Sequence, residues 1–147
     1  MPKLIWGRYL DVGKLGRGWH DVTNLLLEVP FKLLVDFVEK EKPGEKIDWD
    51  ATPEHKHAWD ETLALYEWWT KVRPARHDPL DDLPLPPFHT KPWEGHPGFS
   101  EYIPPTEEEA PGWQAACEES SRLELEWDKE DAAMLHRLID IRGYLWT

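Results

Sequence analysis

Leu27, Phe31, Leu34, Val35 and Val38 recur at steps of mostly three and four, the spacing that gathers side chains on one side of an α-helix. Asp21 stands before this stripe as an N-cap, and Lys42, Pro43 and Gly44 follow it as a stop, which predicts a helix to about Glu41. Pro30 interrupts the stripe and either kinks one helix or sits in the first turn of a second. A second helix is marked more sharply. Thr52 is a cap, Pro53 suits the first helical position because its missing N–H costs nothing there, and Glu54 faces the positive helix end. Trp59, Leu63, Tyr66 and Trp69, with Thr62 and Thr70 alongside, then define a predicted buried face, which Leu65 widens and from which Trp68 points away. Arg73-Pro74 ends the helix near Val72, since a residue before proline is pushed out of helical geometry. From about Trp113, the residues Leu123, Trp127, Met134, Leu138, Ile141 and Leu145 form a seam for packing on another helix. Asp128 offers a cap for a separate last helix, with a break near Trp127–Lys129.

Between these helices, residues 73–112 hold ten prolines in forty positions, too long for an ordinary connection inside a compact domain. Leu80, Leu83, Leu85, Phe88, Trp93, Phe99, Tyr102 and Ile103 recur along the segment, which points to an extended, polyproline-like strip laid over the helices, a mobile loop being the alternative. Residues 1–20 are apolar patches broken by glycines, an irregular lead-in with Leu4, Ile5, Trp6, Tyr9 and Leu10 as packing residues. The expected fold is mainly α: a single domain, residues 1–147, built as a small bundle of three to four helices with the proline-rich segment wrapped on its surface. Trp59, Tyr66, Trp69, Trp127, Leu138, Ile141 and Leu145 form its expected core. The Leu123–Leu145 seam serves this bundle or a second copy of the chain, so a homo-oligomer fits it too.

Composition narrows the partners. There are 29 acidic against 17 basic residues, a formal charge of -12. That surface repels nucleic acid and anionic membrane, and suits a basic partner or plain solubility. Cys117 is the single cysteine, so neither an intramolecular disulfide nor a multi-cysteine zinc site forms within one chain, and a reducing compartment is expected. No stretch approaches the ~20 apolar residues of a membrane span. The opening MPKLIWGRYL lacks the apolar run of a signal peptide, so a cytosolic protein is expected.

Candidate chemistry is sparse. His55 and His57 lie about 200° apart around a helix axis and do not share a metal ion easily. Cys117 sits among acids that disfavour its thiolate, and none of the sequence signatures of phosphate-binding loops, nucleophile elbows or zinc proteases is present. Glu107 to Asp131 contains ten acids and two bases, Arg122 and Lys129, which on a helix makes a solvated negative face or a docking ridge for a basic partner. The sharpest candidate site is Trp68, Trp69, Arg73, Arg76 and His77, where arginine forks could hold a phosphate or carboxylate while a ring stacks on a base. The plainer account pairs these arginines with the chain's own surplus carboxylates. No catalytic residue, metal or cofactor is indicated.

The segments DWDATPEHKHAWDETLALYEWWTKVRPARHDP and MLHRLIDIRGYLWT resemble a family of small uncharacterised proteins encoded by tailed bacteriophages. The resemblance rests on Phe37–Glu41, on Asp48–His55 with the tyrosine–tryptophan helix after it, and on Arg137–Thr147, and covers about residues 20–79 and 128–147. It implies a phage protein made in the host bacterial cytoplasm and carries no activity or site residue with it. The expected function is therefore non-enzymatic: binding of a host or phage protein, basic in character, through an acidic, tryptophan-bearing surface, in modulation of host machinery or defence. A nucleotide binder using Trp68, Trp69, Arg73 and Arg76, and a minor structural or assembly protein of the phage particle, are the alternatives.

Overall fold

The structure, a computed structural model, describes residues 21–145; the lead-in of residues 1–20, Trp146 and Thr147 lie outside the described part. The chain is mainly α-helical. Helix α1 runs Val22–Asp36, with Phe37–Glu41 continuing it as a wider π-turn; α2 is the short Pro43–Lys46. Helix α3 runs Pro53–Glu67 and continues as a π-turn over Trp68–Val72; α4 is a long helix over Trp113–Ile141. Strands β1 (His89–Pro92) and β2 (Ser100–Ile103) pair as an antiparallel hairpin. Contacts gather in two compact units, one within Met1–Ala75 and Glu130–Thr147 and the other Arg76–Lys129.

Local chemistry sets the helix ends where expected. The Asp21 carboxylate accepts from the Thr23 amide at 2.9 Å, and Thr52 Oγ1 accepts from the His55 amide at 3.2 Å. Each cap is worth about 1 kcal/mol. Pro53 occupies the first turn of α3, and α1 runs through Pro30 as one helix. After Glu41 the chain turns at Lys42, in the left-handed region at φ 49°, before Pro43 opens α2. The π-turn of α3 ends at Val72, directly before Arg73-Pro74.

The core of the first unit holds Leu27, Phe31 and Leu34 of α1, Ala58, Leu65 and Trp68 of α3 and its π-turn, and Leu138 and Ile141 of α4, with Trp69, Met134, Leu135, Tyr144 and Leu145 packed partly against it. The expected face of α3 is thus displaced. Ala58, Thr62, Leu65 and Trp68 are buried, Trp59, Tyr66 and Trp69 are half-buried, and Leu63 is exposed. Thr62 is tolerated in the interior because its hydroxyl donates to the Ala58 carbonyl at 2.7 Å. Two ion pairs tie α4 to the α3 segment. Arg137 grips Glu61 with two bonds of 2.8 Å, and Arg73 reaches Asp131 at 3.1–3.4 Å.

Trp59 and Trp49 form a separate packing point. Their rings stack at 5.0 Å and 14°, and the buried Trp49 indole donates to the Pro43 carbonyl at 3.1 Å. Gly44 lies so close that a Cβ there would stand 3.0 Å from Trp59 Cζ2. Glycine is what lets α2 sit against that ring.

In the second unit the proline-rich segment is only partly the expected strip. Pro79–Asp82 is a 3-10 turn capped by Asp78, whose carboxylate accepts from the Leu80 amide at 2.9 Å and from the buried Ser120 hydroxyl of α4 at 2.8 Å. Leu83 has extended backbone, and residues 84–88 after it form neither helix nor strand. Residues 89–103 are the hairpin, a correction to a continuous strip: Trp93 to Phe99 forms a glycine-bearing turn in which Gly95 and Gly98 take positive φ, and this reverses the chain. Helix α4 runs through Trp127–Lys129 unbroken, so Asp128 caps nothing. Trp127, expected in the core, instead belongs to this unit, with the Arg76 guanidinium 5.7 Å from its ring centroid, and is not among the residues of the first unit's core.

Candidate functional site

The residues singled out around the end of α3 turn out to be committed to the protein. Trp68 is 4% exposed and leans on Phe31 at 5.2 Å, opposite to the expectation that it points outward. Its bulk fills the interior where the face of α3 turns by one residue. The half-buried Trp69 stacks on Phe31 at 4.8 Å and 13°, with the Arg73 guanidinium 4.9 Å from its ring centroid. Arg73 is held by Asp131, the pairing with the chain's own acids that the excess of carboxylates favours. Arg76 and His77 belong to the other unit. There Arg76 sits over Trp127, and His77 Nε2 lies 2.9 Å from Asp82, a contact that raises the histidine pKa, first through the hydrogen bond and then through charge.

Open chemistry gathers instead in residues 83–103. The strand register sets His89 opposite Ile103, Thr90 opposite Tyr102, Lys91 opposite Glu101 and Pro92 opposite Ser100. Because strand side chains alternate between faces, each face carries an aromatic group. On one, Phe88 stacks on Tyr102 at 5.5 Å and 26°. On the other, Trp93 lies across from Phe99 edge to face at 6.4 Å, and His96 covers the Trp93 ring at 4.1 Å. Every strand residue is exposed, and the exposed apolar side chains include Leu85 at 92%, Phe88 at 79% and Phe99 at 66%.

The base of the hairpin is clasped by one carboxylate. Glu109 takes the Thr106 amide at 2.9 Å and its hydroxyl at 3.2 Å, and meets His89 Nε2 at 3.0 Å. The Thr106 amide above all, then His89, holds the Glu109 carboxyl below its ordinary range. Beside this clasp, Leu83–Pro87 on one side and Glu109–Pro111 with Trp113 on the other line a cleft of about 180 Å³. The acidic run is in part self-satisfied: Arg122 pairs with Glu119 and Glu126, and Glu107 accepts the Gly112 amide.

Among the described residues no cluster of three or more histidine, cysteine or acidic side chains could hold a metal, and no helix is long and apolar enough to cross a membrane. His55 is used locally, its ring 2.8 Å from Thr52 Oγ1 and edge-on to Tyr144 at 5.3 Å. Comparison with protein-family models, with curated proteins and with solved structures gives no match to this chain. The sequence named Leu85, Phe88, Trp93, Phe99 and Tyr102 as recurrent apolar positions but assigned them to packing. Their clustering between prolines, without the alternation of a half-buried strand, was the available signal that they stand outside the core.

Proposed function

We propose that this chain is a non-enzymatic binding protein whose contact surface is the strip and hairpin of residues 83–103. One observation carries the reading: apolar and aromatic side chains stand exposed on both faces of a two-stranded ribbon, with Leu85 and Phe88 leading into it. An isolated hairpin is marginal in water, and contiguous exposed apolar surface on a monomer marks a contact site. Trp93, Phe99 and Tyr102 are the large, rigid side chains that anchor interfaces. The charge of -12 favours a basic rim on the partner. The resemblance to tailed-phage proteins makes a protein of the bacterial host, met in its cytoplasm, the first place to look. The nucleotide reading has less support, because Trp68 is enclosed and Arg73 is taken by Asp131.

The test is affinity capture from phage-infected cells, with the wild-type chain and the double variant Trp93→Ala/Phe99→Ala as baits, read by mass spectrometry. A partner enriched on the wild type and lost on the folded variant is expected. Equal recovery on both baits would refute the hairpin as the contact. Recovery of phage particle proteins alone would move the reading to an assembly role.

A further inference from the structure

Residues 83–88, Leu-Pro-Leu-Pro-Pro-Phe, form the arm that enters the hairpin. Proline fixes φ near −65°, and a run alternating proline with bulky residues favours the polyproline-II helix, with three residues per turn and no internal hydrogen bonds. Exposure follows that period. Leu83 and Pro86 are half-buried, Pro84 and Pro87 are exposed, and Leu85 and Phe88 are exposed. On a three-sided strip the two more exposed ridges are therefore Pro84/Pro87 and Leu85/Phe88, while Leu83–Pro87 together form one wall of the cleft whose other wall is Glu109, Ala110, Pro111 and Trp113.

We propose that this strip is a preformed ligand for an aromatic-lined, proline-recognising groove on another protein. The proposal rests on the binding reading above and names the chemistry of its partner. Such grooves take polyproline-II segments as paired ridges, and the small ordering entropy of a strip that its prolines already stiffen favours binding. Here Pro84/Pro87 supplies one ridge and Leu85/Phe88 the other. Asp81 and Asp82 precede the strip while His89 and Lys91 follow it, so a groove that is basic at the end receiving Asp81 and Asp82 complements it. Addition of a partner strand to the hairpin is the competing mode, and the sequence resists it. Pro92 ends β1, Pro87 precedes it, and Pro104-Pro105 follow β2, removing amide donors at the ends of both edges.

The experiment titrates the full-length, isotope-labelled chain with purified WW and SH3 domains and follows its amide resonances. Saturable shifts at Leu85, Phe88 and their neighbours are expected with at least one domain. The double variant Pro84→Ala/Pro87→Ala should weaken that binding about tenfold or more, the equivalent of about 1.4 kcal/mol, with core resonances unchanged. Leu85→Asp, which leaves the prolines in place, should do the same. Absence of saturable shifts at millimolar domain, or binding indifferent to both variants, overturns the proposal. If capture still yields a partner that depends on Trp93 and Phe99, the strip proposal alone has failed; if that is lost as well, the binding reading falls with it.

Discussion

Two tryptophans with the same chemistry stand in opposite surroundings here. Trp68 is enclosed against Phe31, while Trp93 is half open on the hairpin. Trp68→Ala would leave a large cavity and is expected to cost about 3–5 kcal/mol of unfolding free energy. Trp93→Ala should stay within about 0.5 kcal/mol. Equilibrium urea unfolding of the two variants checks this, and equal midpoints would contradict the burial pattern of α3. The displaced face has a simple origin. Counting from bulky residues picks Trp59, Leu63, Tyr66 and Trp69, yet among the most fully buried residues of α3 are Ala58 and Thr62, which are small or polar and carry little weight in an apolar count. Side-chain volume advertises hydrophobicity in a sequence, whereas a buried helix face also takes in small residues.

At the scale of elements, pairing of α3 with α4 through Glu61 and Arg137 should leave a pH signature. The Arg137 hydrogen bond holds the Glu61 carboxyl below its ordinary range. A depressed folded pKa contributes stability above the unfolded value, about 4.3 for glutamate, and that contribution is lost as pH falls through the folded value. The melting temperature of Glu61→Gln should therefore trail the wild type at neutral pH and converge with it below about pH 4. The pair is partly exposed, so the neutral-pH gap should be modest, on the order of 1 kcal/mol or less. Removal of Tyr144–Thr147 strips Tyr144 and Leu145 from the core and should lower the melting temperature by several degrees, roughly 4 °C for each kcal/mol lost. An unchanged melt would detach that turn from the core. Helix limits were legible beforehand because Asp21, Thr52-Pro53 and Arg73-Pro74 act on their own neighbours. The hairpin was not, because its strands are wholly exposed and carry Pro92, and because its pairing spans residues that no local rule joins. The surface of residues 83–103 was hidden for a related reason: apolar composition reads as core until the tertiary structure shows which residues are exposed.

For the whole molecule the dominant long-range force is its own charge. With a net charge of -12, self-repulsion opposes the compact state, and added salt screens it within about 10 Å at 0.1 M. The melting temperature should rise between low salt and about 0.5 M NaCl. A fall would mean that ion pairs such as Glu61–Arg137 and Arg73–Asp131 outweigh the general repulsion.

The first unit is assembled from two stretches separated by the whole of Arg76–Lys129. On a ribosome, which delivers the chain in order, α1 and α3 emerge well before Leu138 and Ile141, the α4 residues that help close their core. The apolar face of Leu27, Phe31 and Leu34 must wait while 54 residues, 76 to 129, are synthesised. At roughly 5–20 residues per second that wait lasts seconds, far longer than local helix formation takes. During translation the nascent protein thus passes through a window in which its future interior is open to chaperones, and the intervening unit has time to fold before the first is sealed.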